Sequence, residues 1–217
     1  MPHKPLIIAT SNAGKLREFG ALLRDLPFDL HGFGELGVAP PEESGASFLE
    51  NAVLKARHAA AAAASTGVGG KALPDAAAIA DDSGLEVDAL GGAPGIYSAR
   101  YAGSGAGDAA NNAKLMAALA GTPQNQRRAR YRCALVFVGG ALDTAPLIAE
   151  GVWAGVILDA PRGEGGFGYD PYFFIPELGM TAAQLDATEK NRLSHRGIAM
   201  RAICELLAAR GRLAAHA

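Results

Sequence analysis

Ile79-Ala-Asp-Asp-Ser-Gly-Leu-Glu-Val-Asp-Ala-Leu-Gly-Gly-Ala-Pro-Gly-Ile-Tyr-Ser-Ala-Arg-Tyr-Ala-Gly103 is the stretch whose reading decides the fold. The run from Ala77 to Ala80 reads as a short apolar strand and leads straight into two adjacent carboxylates, Asp81 and Asp82. Ser83-Gly84 is expected to turn the chain, and Gly91-Gly92-Ala93-Pro94-Gly95 to form a loop. A carboxylate pair at the exposed end of a buried strand is held rigidly, with one side chain on each face. Such a pair suits Mg2+, a hard cation that takes oxygen donors and keeps several waters. Taken alone, Asp-Asp-Ser-Gly is more often a solvated turn, so its meaning rests on the segments around it.

Toward the N-terminus, Leu6-Ile7-Ile8-Ala9 is an unbroken apolar run, as in a strand buried on both faces. Thr10-Ser11-Asn12-Ala13-Gly14-Lys15 follows, then Leu16, Phe19, Leu22 and Leu23 at helical spacing. A loop opening a helix presents backbone N–H groups to an anion, and Lys15 adds a full charge. Capping by Ser11 or Asn12 explains the same residues without a ligand. The loop lacks the glycines and the Lys-Ser/Thr pair of a Walker motif. Phe28 to Phe33 reads as a second strand and Gly34 to Gly45 as loop. Ser47-Phe-Leu-Glu50 is a capping box opening a helix through roughly Ala64, stopped by Gly67. Phe48, Ala52 and Lys55 or Ala56 share one face of that helix, and His58 reads as surface or packing. Thr66 to Pro74 reads as a flexible connector.

Toward the C-terminus, Asp108 is placed to cap a helix through Ala120, closed by Gly121 and Pro123. Ala129 to Val138 and Leu147 to Leu158 read as strands, and as an antiparallel ribbon they would suit a dimer contact. Arg162-Gly-Glu-Gly-Gly-Phe-Gly-Tyr-Asp-Pro171 is a glycine-rich loop in which Phe167 or Tyr169 offers a flat face for a base. A short strand at Tyr172 to Ile175 and a capping box at Thr181 to Gln184 follow. The last helical region carries Lys190, Ser194-His195-Arg196, and an apolar face of Met200, Ile203 and Leu207. By themselves Lys190 and Arg196 read as solvated. Strands alternate with helices early and pair late, which predicts an α/β fold with a mixed sheet and two lobes.

A chain of 217 residues is long enough for a sizeable core. A net charge of −2 gives no broad basic field for nucleic acid. Cys133 and Cys204 lie far apart in apolar stretches and read as reduced thiols, not a disulfide frame or zinc site. Pro5 to Ala9 is too short for a signal-peptide core, and no apolar run reaches membrane-spanning length. The expectation is a soluble, cytoplasmic protein.

Four segments together resemble one family: Thr10 to Lys15, Ile79 to Gly103, Phe167-Gly-Tyr-Asp170, and Lys190 with Ser194-His-Arg196. The chain resembles, over nearly its whole length, the Ham1-like or inosine triphosphate pyrophosphatase family. The second segment is the most specific of the four. The resemblance implies one ITPase-like domain over 1–217, with an elongated mixed sheet flanked by helices and a nucleotide cleft between two lobes. It implies hydrolysis of ITP, dITP and XTP to the monophosphate and pyrophosphate, with Mg2+, by a homodimer. Ser11 stands where many members carry Gly, and the Thr66 to Pro74 connector looks longer than usual.

The resemblance also assigns roles. Asp82 becomes the proton acceptor and, with Glu43 or Glu42, a metal ligand; Asp81 is the alternative to Asp82. Thr10, Ser11, Asn12, Ala13, Gly14, Lys15, Ser83, Phe167, Gly168, Tyr169, Asp170, Lys190, His195 and Arg196 become substrate-binding, with Lys190 as a second cation for the phosphates. His195 and Arg196 would donate to the six-oxo group of the purine. Two rival readings are a pyrophosphatase for modified pyrimidine nucleotides and a nucleotide-binding regulator without catalysis. Intact Lys15, Asp81, Asp82 and Lys190 argue against the second.

Overall fold

The computed structural model describes residues 3–215. The chain begins with β1 (Lys4–Ile8), α1 (Ala13–Leu23), β2 (Phe28–Gly32), α2 (Phe48–Ser65) and β3 (Ala77–Val87). It continues with α3 (Asp108–Ala118), β4 (Arg128–Val138), β5 (Leu147–Ile157), β6 (Phe173–Ile175), β7 (Met180–Thr181), α4 (Ala187–Leu193) and α5 (His195–Ala215). Among the described residues the strands form one seven-stranded sheet, ordered β2-β1-β3-β4-β5-β6-β7. β1 runs parallel to β2 and β3, so α1 and α2 serve as crossovers. β6 runs antiparallel to β5 and β7. This is the mixed α/β sheet that the order of segments predicts.

β3 corrects the sequence reading at its most important point. Asp81 and Asp82 do not end a strand, and Ser83-Gly84 does not turn; β3 runs unbroken for 11 residues. Asp81 and Asp82 are 1% and 6% exposed. The reason is position in the sheet: β3 lies between β1 and β4. The β1 ladder covers Ala77 to Ile79, and the strand continues past it through Asp81 to Gly84, so membership of the sheet overrides the local turn preference of those residues.

The chain divides into two compact units, one of Met1–Asp82, Ala134–Glu150 and Ala199–Ala217, the other of Ser83–Cys133 and Gly151–Ile198. In the first, Leu6, Ile7, Phe19 and Leu23 are buried with Ala52, Ala56, Ala59, Ala60 and Ala63 of α2. Those small side chains let α2 pack closely on β1. Ser47 Oγ accepts from the Glu50 N–H at 3.2 Å, and the Glu50 carboxylate accepts from the Ala46 N–H at 2.9 Å. The capping box thus forms with its return bond one residue early. His58 packs on Phe33 and contacts the Ala39 carbonyl, as a packing residue should. Thr66 to Pro74 is not a slack connector, because Val68 and Lys71 close an antiparallel bridge. A Cβ on Gly67, at φ +68, would lie 1.7 Å from the Lys71 carbonyl oxygen.

The turn after β4 is tied by Asp143, which accepts from the Gly139 N–H at 2.6 Å and the Ala145 N–H at 2.8 Å and pairs with Arg210. Burial alone would raise its pKa, but these backbone bonds and the guanidinium outweigh it and hold the carboxyl below its ordinary value. A lowered folded pKa makes this stabilisation complete above the unfolded value of about 3.9 and lost as pH falls through the folded one. Asp143→Asn should therefore lower the urea midpoint at pH 7, with the gap to wild type closing by about pH 2. A gap of equal size at both pH values would take this contribution away from the carboxylate.

The second unit has its own core, in which Leu85, Val87, Leu115, Leu119, Trp153 and Phe173 surround Tyr131. Thr181 and Gln184 form the expected capping box, but it opens a three-residue 3-10 turn, not a longer helix. Asp108 does not cap α3: it is the first helical residue, behind Gly107, and its carboxylate is used elsewhere. The C-terminal helical region is broken at Ser194 into α4 and α5, and Met200 and Ile203 are buried as expected. No helix of the described residues is long and apolar enough to cross a membrane.

Candidate active site

Two lysines meet the two central carboxylates of the first unit. Asn12 caps α1 by accepting from the Lys15 N–H at 3.0 Å, and Thr10 Oγ1 accepts from the Asn12 N–H at 3.2 Å. This cap places Lys15 in the first helical turn, where its ammonium lies 2.9 Å from Asp81. Ser11, Asn12 and Ala13 remain exposed around it. Asp82 faces α2: Lys55 Nζ lies 2.7 Å from Oδ1, and Asn51 Nδ2 donates to Oδ2 at 3.2 Å. Lys55 also contacts Glu43 at 3.0 Å. Glu43 reaches this position because Gly45 packs against α2, its N–H donating to Asn51 Oδ1 at 2.8 Å. A Cβ on Gly45 would stand 2.6 Å from that oxygen. Glu42 is exposed and makes no such contact among the described residues.

Burial raises the Asp82 pKa, and the opposing charges of Lys55 and Lys15 do not overcome it. Burial also works against the Lys55 charge, but Asp82, Asp81 and Glu43 outweigh it and hold the ammonium firmly protonated. Three acidic groups around one ammonium leave Asp82 carrying the cost of burial. Its side chain is 8% exposed against 0% for Asp81, so it is the reachable member of the pair.

These residues fit a hard divalent cation. One ammonium touches both Asp82 and Glu43, so the two carboxylates already converge on a positive charge. No group of three or more His, Cys, Asp or Glu able to hold a metal occurs among the described residues.

The second unit gathers aromatic and cationic groups. Asp170 accepts from Tyr131 at 3.1 Å, from the Phe167 N–H at 2.9 Å, and from Lys190 at 2.6 Å. Lys190 lies 4.6 Å from the centroid of the Phe167 ring and Arg196 5.9 Å from it. Arg196 also donates to Ser83 Oγ at 2.9 Å. His195 stacks on Tyr131, with centroids 4.7 Å apart and planes 12° apart. Tyr169 donates to the Ser98 carbonyl at 2.8 Å. Burial, then the neighbouring Tyr101 and Asp108, pushes the Tyr169 hydroxyl above its ordinary pKa, so it stays a donor.

Lys190 and Arg196, read alone as solvated, are buried, each compensated by a polar partner and an aromatic face. Of the two candidate flat faces, Tyr169 belongs to the core and only Phe167 is partly exposed. The Lys190 charge is matched at short range by Asp170, so it is not a loose cation. Lys55, Asn51 and Tyr131 were not singled out from sequence. Lys55 had a signal: a lysine on the alanine-rich, core-facing stripe of α2 is out of place unless a buried carboxylate awaits it. Tyr131 had none, since strand alternation marks it only as core.

A dITP/XTP pyrophosphatase of Pectobacterium atrosepticum is 52% identical over 202 residues, covering 93% of this chain and 97% of its own. One from Xanthomonas campestris is 54% identical over 197 residues, covering 91% and 94%. The solved structure of a HAM1 protein from Coxiella burnetii superposes with a TM-score of 0.81 at 43% identity, covering 95% of this chain and 99% of that one. The family model described as the Ham1 family matches residues 6–206, and with relatives of this identity across almost all of its length the chain belongs to the Ham1 family.

Proposed function

We propose that this protein hydrolyses the non-canonical purine nucleoside triphosphates dITP, XTP and ITP to the monophosphate and pyrophosphate, cleansing the nucleotide pool. The observation that carries this reading is the set of charges on the central strand: Asp81 with Lys15, and Asp82 with Lys55 and Glu43. The names of the similar proteins point the same way.

In this reading water adds to the α-phosphorus opposite the β-phosphate. The bond to the bridging oxygen breaks, pyrophosphate leaves with the electron pair, and the proton of the water passes to Asp82. Burial raises the Asp82 pKa, which makes it a better acceptor at neutral pH. Lys15 and the backbone N–H groups of Ser11, Ala13 and Gly14 neutralise the polyphosphate, with Ser83 as a further polar contact. Asp82 and Glu43 would hold Mg2+, which when bound offsets phosphate charge as a Lewis acid. Phe167 stacks on the base, while Gly168, Tyr169, Asp170 and Lys190 build the loop and floor that present it. His195 and Arg196 donate to the six-oxo group, where adenine offers an amino donor instead. A buried donor left unmatched costs about 1–3 kcal/mol, or roughly ten- to hundredfold in selectivity. The chain acts as a single ITPase-like domain, and the protein works as a cytoplasmic homodimer.

The test is pyrophosphate release with Mg2+ from dITP, XTP and ATP. The expected kcat/KM for the six-oxopurines exceeds that for ATP by at least about tenfold, and His195→Ala narrows the ratio. Equal rates for all three would overturn the proposed selectivity, and no pyrophosphate from any of them would overturn the activity.

A further inference from the structure

We infer that Asp108 and Asn112, one turn apart at the start of α3, are positioning residues that set the Phe167 ring by gripping the next peptide; this rests on the proposed nucleotide reading. Asp108 Oδ2 accepts from the Gly168 N–H at 2.6 Å, and Asn112 Nδ2 donates to the Gly168 carbonyl at 2.8 Å. Both polar groups of that glycine are therefore held by one helix turn. Asn112 Nδ2 spends its second hydrogen on the Asp108 carbonyl at 2.8 Å. Two carbonyls face this carboxamide, so only its amino end fits there, and the orientation is forced. Asn112 is 9% exposed, and Gly168 sits at φ +63, a conformation open to glycine.

The same helix fixes a second loop. Asn111 accepts from the Ala102 N–H at 2.8 Å and donates to the Ala99 carbonyl at 3.2 Å, while Lys114 donates to the Tyr101 carbonyl at 2.6 Å. α3 thus acts as a template whose polar face orders two loops, while its Leu115 joins the core. A free helix end would place an acidic first residue toward its own dipole; here the carboxylate turns to Gly168 instead. The Phe167 N–H is bound by Asp170, so the loop is pinned on both sides of the ring. Neither Asp108 nor Asn112 needs to touch the nucleotide to set where that ring lies.

The test compares Asp108→Ala with Asp108→Asn, which keeps an acceptor for the Gly168 N–H, and adds Asn112→Asp, which turns two donors into a charge facing two carbonyls. Losing a hydrogen bond to a charged group should raise the KM for dITP by about tenfold, with kcat changed less than about threefold. Inhibition by inorganic pyrophosphate, which carries no base, should keep its constant in Asp108→Ala. Asp108→Asn should restore most of the wild-type KM, and Asn112→Asp should raise KM more than Asp108→Ala. Wild-type turnover of dITP is the control for the reading beneath: without it the proposed function fails. With it, an unchanged KM in Asp108→Ala, or KM and the pyrophosphate constant rising together, overturns the positioning role alone.

Discussion

Asp82→Asn is expected to lower kcat for dITP by about a thousandfold, the scale of a lost general base, while the protein still folds. The carboxylate takes hydrogen bonds on both oxygens, from Lys55 and from Asn51. An amide accepts on one side only, so the other side meets a second donor, at a cost of about 1–3 kcal/mol. That cost is partly offset because a neutral group is cheaper to bury than the charge it replaces. A modest fall in melting temperature with near-complete loss of turnover is therefore the expected pattern. Stopped-time pyrophosphate assays beside thermal unfolding decide it: a rate within about tenfold of wild type would remove Asp82 from proton transfer.

Lys55→Met should have the second largest effect, about a hundredfold in kcat, the scale of one preorganised electrostatic contact. The ammonium is the shared partner of Asp82 and Glu43. Without it Asp82 and Asp81 retain Lys15 as a nearby cation. Asp82 would then hold its proton more readily, leaving less of the basic form. Methionine keeps the unbranched length of the side chain, so packing against α2 changes little. Steady-state kinetics on dITP read the result, and a kcat within threefold of wild type would make Lys55 a structural counter-ion only.

Much of the architecture is legible in the residue order. The apolar run at Leu6 to Ala9, the cap at Asn12, the capping box at Ser47 and the stop at Gly67 each act through contacts within a few residues. Local rules suffice there because the partners are neighbours in sequence. The alternation of Tyr131, Cys133, Leu135 and Phe137 likewise marks β4. The separated motifs that carry family membership could be quoted directly, since similarity needs residues and no coordinates.

The tertiary structure alone decided what the central stretch is. Asp-Asp-Ser-Gly has every local reason to turn, yet it stays extended as the middle of an 11-residue strand inside the sheet, a context that outweighs turn propensity. The partners of its carboxylates come from Lys15 on α1 and Lys55 on α2, distances along the chain over which propensity and periodicity carry no information. The same holds for Lys190 and Arg196, solvated by type but buried by their aromatic and acidic surroundings. It holds for Asp108 too, whose expected cap gave way to a peptide 60 residues along the chain. Sequence by itself determined which residues carry charge and which elements form; only the fold decided which charges meet, because burial and pairing are set by neighbours in space.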